Sequence, residues 1–268
     1  MVSWPELEQP VAIAVVIPAY NEASTITAVV CRTCRQVEWV IVVDDGSTDD
    51  TAEQLQGLPV TVLHHAHNQG KAASLWHGMR LALAQGARAV ITLDADGQHR
   101  PEDIPQLLAA SQQYPDRLII AARLGQRARV PRCRRFANWM ADFWISWAAG
   151  CPILDTQSGF RLYPAQVLAT VRVAHDRRHG FVFESEVLIE AARRGYYPMA
   201  VPIDALYHHK ARASYYRPLQ DTVCIIRMVT WKLLSRGLYL QGLLRSVGLM
   251  PLPRSFLPAN VKEKNYET

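Results

Sequence analysis

The chain has 268 residues, of which 49% are hydrophobic and 20% are charged, and a formal net charge of +5. This length suits one large α/β domain, alone or with an extension. No stretch reaches the roughly 18 uninterrupted apolar residues of a transmembrane helix. The five scattered cysteines indicate reduced thiols rather than a disulfide framework.

The amino-terminal segment predicts a cytoplasmic location. Residues 1–8 are acidic and lack the basic and apolar regions of a signal peptide. We expect a cytoplasmic protein that associates peripherally with the cytoplasmic face of a membrane.

Short apolar runs alternate with helical patterns along the first half of the chain. The apolar runs predict strands at residues 11–17, 39–43, 60–63, 89–93 and 118–122. The helical patterns lie between them, at residues 21–35, 51–55, 71–83 and 101–112. This alternation predicts an α/β fold with a mostly parallel sheet, covered on both faces by helices in right-handed crossovers.

The pattern changes after residue 131. The later elements predicted are a helix at 136–149, a polar loop at 155–161, a helix at 184–194 and a strand at 199–203. Residues 221–250 mix apolar side chains with spaced lysines and arginines, which indicates one or two basic amphipathic helices. We therefore divide the chain into a domain at 1–217 and a helical extension at 218–268. The extension either lies in a membrane interface or packs on the domain.

Basic residues are concentrated in two zones. Seven arginines lie within residues 117–135, a stretch without acids, and a second zone at 210–254 contains one acid, Asp221. Such zones suit the phosphate groups of nucleotides, nucleic acids or anionic lipids. A solvated basic face is the alternative for either zone taken alone.

Polar clusters follow four of the predicted strands. They are residues 20–22, the pair Asp44–Asp45, the acids Asp94 and Asp96, and Arg123. Ligands bind beyond the carboxyl ends of the strands in parallel sheets, so these clusters mark a candidate site.

Asp94 and Asp96 bring two like charges together after a buried strand. Such charges destabilise each other unless a positive group lies nearby. A Mg²⁺ or Mn²⁺ ion bound together with substrate phosphates would supply that group, and nearby arginines or water are the alternatives. In isolation, this spacing is also typical of a solvated acidic turn.

Seven motifs follow one another along the chain. They are VIPAYNE at 16–22, VDDGSTD at 43–49, NQGK at 68–71, DADGQH at 94–99, Arg123, DTQSGFR at 155–161 and FESE at 183–186. The ordered set strongly resembles the family 2 inverting glycosyltransferases with the GT-A fold, over about residues 11–217. Within that family it is similar to the branch of dolichyl- and polyprenyl-phosphate sugar synthases. The resemblance implies a Rossmann-like sheet flanked by helices.

The resemblance also implies a reaction, the metal-dependent transfer of a sugar from a UDP- or GDP-sugar to a polyprenyl-phosphate or another lipid or glycan acceptor. The residues implied in nucleotide-sugar binding are Pro18, Tyr20, Glu22, Asp44, Asp45, Lys71, Asp94, Ala95 and Gln98. Asp94 and Asp96 would hold Mg²⁺ or Mn²⁺ with the diphosphate. The residues implied in contacts with acceptor or phosphate are Arg134, Arg135, Ser158, Arg161 and Arg212. The implied catalytic residues are Asp96, Arg123, Glu184 and Glu186.

The need for a catalytic base depends on the acceptor. A phosphate monoester is already an anion and needs no base, whereas a hydroxyl needs a carboxylate to take its proton. Glu184 and Glu186 are the candidates, and at this spacing on a helix only one of them is expected to face the site. The position in the family motif favours Glu186.

Two other classes of protein are alternatives. A nucleic-acid-binding protein could use the arginines at 117–135, but no recognition module is evident and no aromatic residues alternate with those arginines. An inactive nucleotide-sugar sensor is disfavoured because Asp94, Asp96 and Arg123 are all in place. The sequence leaves open the donor base, the sugar and the acceptor.

Overall fold

The computed structural model describes residues 12–125, 132–171, 180–203 and 218–253. A seven-stranded sheet lies at its centre. The strands are β1 (Ile13–Ala19), β2 (Val40–Asp44), β3 (Thr61–His64), β4 (Ala89–Thr92), β5 (Leu118–Ala122), β6 (Arg161–Pro164) and β7 (Pro198–Pro202). Their order in the sheet is β3-β2-β1-β4-β6-β5-β7. Neighbouring strands pair in parallel, except that β6 is antiparallel to β4 and β5.

Helices flank this sheet. They are α1 (Ile26–Cys34), α2 (Thr51–Gln54), α3 (Lys71–Ala84), α4 (Ile104–Gln113), α5 (Arg132–Ala149), α6 (Ala165–Thr170), α7 (Gly180–Arg193), α8 (Pro218–Leu234) and α9 (Leu240–Ser246). Short 3-10 turns at Pro101–Asp103 and Gly237–Tyr239 precede α4 and α9.

The alternation of side chains along the strands creates two cores, one on each face of the sheet. Along β1, Ala14 and Val16 face the core that contains α3, α5 and α7, while Val15 and Ile17 face the core that contains α1 and α4. The helix α3 lies close to the sheet because Gly78 has no side chain. A Cβ atom at that position would lie 2.5 Å from Cγ1 of Val16.

The predicted strands and helices are confirmed in order and type, with bounds that differ by up to about five residues. The sequence analysis missed β6. This strand has four residues, begins with arginine and ends with proline, so its local pattern does not predict a strand. Pairing with both neighbours nevertheless places it inside the sheet, with Thr92 opposite Arg161. The prediction that Arg161 lies in a polar loop is therefore wrong.

The helix α8 packs against the domain. Val229 and Leu233 lie in the same core as residues of α5 and α7. Lys232 pairs with Glu186 at 2.8 Å and with Glu190 at 2.5 Å. The inner face of α8 therefore packs on the domain, which is one of the two placements that the sequence analysis left open for the basic helices. The predicted domain boundary stays a prediction. Within the described ranges, no helix is long and apolar enough to span a bilayer.

Candidate active site

The predicted polar clusters meet at one edge of the sheet. Strand β1 lies between β2 and β4, and backbone hydrogen bonds continue past the ends of these strands. The N–H of Asp45 donates to the carbonyl of Ala19 at 2.8 Å, and the N–H of Leu93 donates to the carbonyl of Val16 at 3.1 Å. Because these bonds hold the strand ends side by side, the polar residues that follow them form one surface.

Lys71 joins the acids at the centre of this surface. Its Nζ lies 2.7 Å from Oδ1 of Asp94 and 3.4 Å from Oε2 of Glu184. Burial alone would lower the pKa of Lys71, but the charges of Asp94 and Glu184 raise it, so the ammonium stays charged at neutral pH. The first residue of α3 thus connects the end of β4 to α7.

Asp94 and Asp96 differ in how their charges are compensated. Burial would raise the pKa of Asp94, but the charge and hydrogen bond of Lys71 together with the other positive groups nearby outweigh burial, and the pKa is lowered. The pKa of Asp96 is raised by burial and by the charge of Asp94. Oδ1 of Asp96 accepts the N–H of Gln98 at 2.9 Å. The pair therefore carries one well-compensated charge, at Asp94, and one poorly compensated charge, at Asp96.

His99 is a neighbour of these acids that the sequence analysis did not select as a site residue. Its Nε2 lies 3.9 Å from Oδ2 of Asp94, and its ring packs against Phe160 with the ring centroids 5.5 Å apart. Burial lowers the pKa of His99 to about 4, so the imidazole is neutral at pH 7. Its Nδ1 is buried without a hydrogen-bond partner among the described residues. The feature of the sequence that could have identified His99 is its position three residues after Asp96.

Arg123 is held beside the site by an acid to which the sequence analysis gave no role. Its Nε and Nη2 donate to the two oxygens of Asp155 at 2.9 and 2.8 Å, and its backbone N–H donates to the same carboxylate at 2.8 Å. Asp142 of α5 supports this loop by accepting the N–H of Thr156 at 2.8 Å. The charge of Arg123 contributes to lowering the pKa of Asp94, so the guanidinium belongs to the same electrostatic cluster.

Glu184, and not Glu186, faces the site. Glu184 lies beside Lys71, whereas Oε1 of Glu186 lies 2.8 Å from Nζ of Lys232 on α8. The two glutamates diverge as expected for their spacing, but the preference for Glu186 is corrected because its carboxylate is paired between α7 and α8. Oε1 of Glu184 is buried without a hydrogen-bond partner among the described residues.

Asp45 supports the framework of the site. Its carboxylate accepts the N–H groups of Gln69 and Gly70, each at 2.8 Å, and lies 2.7 Å from Nδ1 of His65. These bonds fix the turn that precedes α3. Both oxygens of Asp44 are used as well, since Oδ1 accepts the N–H of Ser47 at 3.1 Å and Oδ2 lies 3.2 Å from Nδ1 of His64. The contact of Asp44 or Asp45 with ribose or base stays a prediction.

The other predicted donor contacts differ in exposure. Tyr20, Glu22 and Gln98 are partly exposed at the edge of the sheet, while Pro18 is buried near the end of β1. The side chain of Ala95 lies in the core beneath α1 and α4. A contact of Ala95 with a donor would therefore use its backbone, and its role in nucleotide-sugar binding stays a prediction.

Ser158 and Arg161 are interior residues, which corrects their predicted contact with phosphate. Arg161 is 1% exposed, and its guanidinium donates to the carbonyls of Ser158, Thr156 and Glu184 at 2.7, 2.8 and 2.7 Å. The hydroxyl of Ser158 donates to the carbonyl of Ala121 at 2.8 Å. Arg161 thereby connects the polar loop to α7, and its hydrogen bond to the carbonyl of Glu184 helps to position that residue.

Three predicted phosphate contacts remain, those of Arg134, Arg135 and Arg212. Arg135 is exposed near the start of α5. The side chain of Arg134 and the whole of Arg212 lie outside the described residues. Their roles stay predictions.

The donor atoms fit a divalent cation bound together with a diphosphate. Asp94 and Asp96 offer hard oxygen ligands, and Mg²⁺ commonly binds through one or two carboxylates plus substrate phosphates. The poorly compensated charge of Asp96 favours a cation at this place. Within the part of the chain that the structure describes, no group of three or more His, Cys, Asp or Glu side chains could hold a metal ion. A cation here would thus depend on oxygens from the substrate.

Gly159 leaves room for the acidic cluster, and we expect Gly159→Ala to disturb it. A Cβ atom there would lie 2.7 Å from Oδ2 of Asp94 and 3.1 Å from Nζ of Lys71. The expected result is a loss of the predicted transfer activity of roughly 10- to 100-fold, because a displacement of about 1 Å is enough for such losses. The measurement is kcat/KM together with the melting temperature. Gln157→Ala, at an exposed position of the same loop, is the control. Unchanged kcat/KM in Gly159→Ala would show that the position of Asp94 is not critical.

Comparison with known proteins assigns the family. The chain matches the description "Glycosyl transferase family 2" over residues 14–168, more than half of its length. It belongs to this family and is a glycosyltransferase.

Similar proteins include enzymes named for polyprenyl-phosphate acceptors. The undecaprenyl-phosphate mannosyltransferase of Micrococcus luteus is 29% identical over 198 residues, which cover 70% of this chain and 81% of the relative. The polyprenol monophosphomannose synthase of Mycolicibacterium smegmatis is 30% identical over 201 residues, which cover 70% of this chain and 75% of the relative.

Solved structures of glucosyl-3-phosphoglycerate synthase from Mycobacterium tuberculosis share the GT-A fold. The complex with phosphoglyceric acid has a TM-score of 0.62 at 25% identity, covering 84% of this chain and 79% of that chain. The complex with Mg²⁺ and UDP has a TM-score of 0.59 at 26% identity, with the same coverage.

Proposed function

We propose that this glycosyltransferase moves a sugar from a UDP- or GDP-sugar to a polyprenyl phosphate, with Mg²⁺ or Mn²⁺ bound by Asp94 and Asp96. The observation that carries the proposal is the poorly compensated carboxylate of Asp96 beside the Lys71–Asp94 pair. The relatives named for undecaprenyl-phosphate and polyprenol acceptors support the choice of acceptor. The similar structure solved with Mg²⁺ and UDP supports a divalent cation and a nucleotide.

The charges of the site suit the departure of a nucleoside diphosphate. Cleavage at the anomeric carbon builds negative charge on the leaving group. Lys71 and Arg123 would stabilise that charge, since each is already held in place by a carboxylate and needs little reorganisation. A bound divalent cation would supply further Lewis-acid stabilisation. Attack from the opposite face of the sugar inverts the anomeric centre.

A polyprenyl phosphate would attack without a catalytic base, because its phosphate is already an anion. A second candidate function is transfer to a hydroxyl of a lipid or a glycan. The buried and unpartnered Oε1 of Glu184 favours it, since a carboxylate oxygen without a hydrogen bond among the described residues is free to accept a proton. Glu184 would then be the base, in place of the predicted Glu186.

We expect Glu184→Gln to distinguish the two acceptors. With a polyprenyl-phosphate acceptor kcat should fall by less than about 10-fold, because no proton has to be removed. With a hydroxyl acceptor it should fall by roughly 10² to 10⁴-fold. Glu186→Gln is the matched control on the same helix, because Glu186 pairs with Lys232 away from the site. A large loss with polyprenyl phosphate in Glu184→Gln alone would refute a base-free mechanism.

The experiment that tests the proposed function is a donor panel. UDP- and GDP-sugars are incubated with the protein, Mg²⁺ or Mn²⁺ and either polyprenyl phosphate or a polyprenol, and products are read by mass spectrometry. The expected product is a sugar linked to polyprenyl phosphate, formed only with a divalent cation. Transfer to the polyprenol alone would favour the hydroxyl candidate, and equal transfer with a chelator would refute the metal role.

We also propose peripheral association with a membrane through α8, α9 and the residues after them. Large apolar side chains are exposed there, with Trp231 at 71%, Leu240 at 63% and Leu249 at 77%. Arg227 and Arg236 are exposed in the same region. Aromatic, aliphatic and basic side chains together suit the interface of an anionic bilayer, where a lipid-linked acceptor would lie.

A further inference from the structure

A basic cavity lies at the opposite end of α7 from Glu184. Its volume is about 100 Å³, and it is lined by the ends of α5 and α7 and by residues from the turn before α9 onward. A water molecule needs about 10–15 Å³ measured in this way, so the cavity has room for a small anion. Three of its lining side chains are guanidinium groups, those of Arg193, Arg236 and Arg245.

The nearest acid does not neutralise these arginines. Glu190 lies 3.6 Å from Nη1 of Arg193, but it also pairs with Lys232 at 2.5 Å and with Arg194. Nε and Nη2 of Arg193 are already used, donating to the carbonyls of Ala148 and Lys232 at 3.1 and 2.9 Å. Burial, followed by the like charge of a neighbouring arginine, lowers the pKa of Arg193. The region therefore has an excess of positive charge.

Arg236 and Arg245 have no carboxylate partner among the described residues. Nε of Arg245 is buried and makes no hydrogen bond within the described ranges. A buried charged donor without a partner costs stability unless a ligand or water supplies an acceptor. An anion in the cavity would supply one.

The wall of the cavity holds Arg236 in place. The side chain of Tyr239 fits where Gly150 and Gly242 lack side chains. A Cβ atom at Gly150 would lie 2.5 Å from its hydroxyl oxygen, and one at Gly242 would lie 2.3 Å from its ring. The guanidinium of Arg236 lies 4.8 Å from the centroid of this ring. Leu238 and Tyr239 have positive φ angles of 65° and 44°, and this turn is held by Trp147 Nε1, which donates to the Leu238 carbonyl at 3.0 Å.

We propose that this cavity binds a phosphate group through Arg236 and Arg245, with Arg193 adding positive charge. Guanidinium groups suit phosphate because their planar fork of N–H donors matches its oxygens. The phosphate could belong to an anionic lipid headgroup, since Leu238 and Leu240 are exposed beside the cavity, or it could be free in solution.

This site is separate from the candidate active site. Arg193 follows Glu184 by nine positions on α7, which corresponds to about 13 Å along the helix axis. The proposal therefore does not depend on the transfer reaction, and it can be tested by binding alone.

The test compares four variants of the full chain with the wild type. Arg236→Gln and Arg245→Gln remove the proposed ligands, and Arg245→Lys keeps the charge but loses the Nε donor. Arg80→Gln removes an exposed charge from α3, outside both the cavity and the proposed membrane surface, and is the matched control. Binding of inorganic phosphate is measured by calorimetry at constant ionic strength. Binding to phosphatidylglycerol and phosphatidylcholine vesicles is measured by flotation.

We expect Arg236→Gln, Arg245→Gln and Arg245→Lys to weaken binding by roughly tenfold or more, while Arg80→Gln changes it much less. Loss of phosphate binding identifies a free phosphate as a ligand, and loss confined to phosphatidylglycerol vesicles identifies a lipid headgroup. Phosphate held at the candidate active site would survive all four substitutions. Equal effects of Arg80→Gln and Arg236→Gln, with none from Arg245→Lys, would overturn the proposal in favour of general charge attraction. An absence of binding to both probes would also overturn it. If either Arg245 variant fails to fold, exposed Arg236 still provides the test.

Discussion

Replacing Asp96 with asparagine is expected to lower transfer by roughly 10² to 10³-fold while leaving the fold at least as stable as that of the wild type. The carboxylate is close to a second acid, Asp94, and both burial and that acid raise its pKa. Neutralising it therefore relieves repulsion in the empty protein. The same change removes one of two oxygen ligands from the proposed cation site, so it weakens donor binding and stabilisation of the leaving group.

The measurements for Asp96→Asn are kcat/KM, binding of nucleoside diphosphate with and without Mn²⁺, and the melting temperature. Asp116→Asn, at an exposed position before β5, is the control and should match the wild type in all three. We expect Mn²⁺ to strengthen nucleotide binding in the wild type but much less in Asp96→Asn. A variant that kept both its activity and the response to Mn²⁺ would remove Asp96 from the site.

The sequence predicts well that the polar clusters meet at one edge of the sheet, because that meeting depends on local patterns. Buried runs end at Pro18, Asp44 and Leu93, and parallel pairing of the strands brings those ends together whatever the details of packing. The like charges of Asp94 and Asp96 are also visible in the sequence alone. Their unequal compensation is not, because it depends on Lys71, which reaches Asp94 from another element.

The errors concern side chains whose roles are set by distant elements. Glu186 is turned away from the site because Lys232, on a helix more than 40 residues later, pairs with it. Arg161 is interior because β6 inserts between β4 and β5. The sequence of the four residues of β6 does not predict this pairing. The same insertion lets Arg161 bind the carbonyl of Glu184. A charged residue in a recognisable motif thus does not always contact a ligand. It can instead lie in the interior and position the residues that do.

Replacing Lys71 with methionine is expected to impair both stability and transfer. The side chains of Lys71 and Asp94 are about one-quarter exposed, and the substitution leaves Asp94 and Glu184 without the ammonium that they share. We expect a loss of about 2–3 kcal/mol in the free energy of unfolding at pH 7, less than for a fully buried pair. Transfer should fall by roughly 10²-fold or more, because a cation beside the leaving diphosphate is lost.

The pH dependence of this loss follows from Asp94. Its pKa in the folded protein lies below its ordinary value of 3.8, because the positive groups around it, Lys71 foremost, together outweigh burial. The stability gained from the ionised carboxylate is present above that ordinary value, and it is lost as the pH falls through the lower folded pKa. In Lys71→Met the ammonium is absent and burial raises the pKa of Asp94. Acid therefore protonates the carboxylate, and this removes the free-energy cost of burying its charge without the ammonium. The difference in unfolding free energy between wild type and variant should therefore be largest near pH 7 and shrink towards pH 4.

Urea denaturation at several pH values measures this difference. Arg80→Met, which removes an exposed charge from the same helix, is the control and should show a small loss with little pH dependence. Lys71→Arg should keep most of the stability, since it keeps the charge, while its longer and planar group should restore transfer only in part. A pH-independent loss in Lys71→Met would mean that the lysine acts through packing, and the electrostatic account of the acidic cluster would have to be given up.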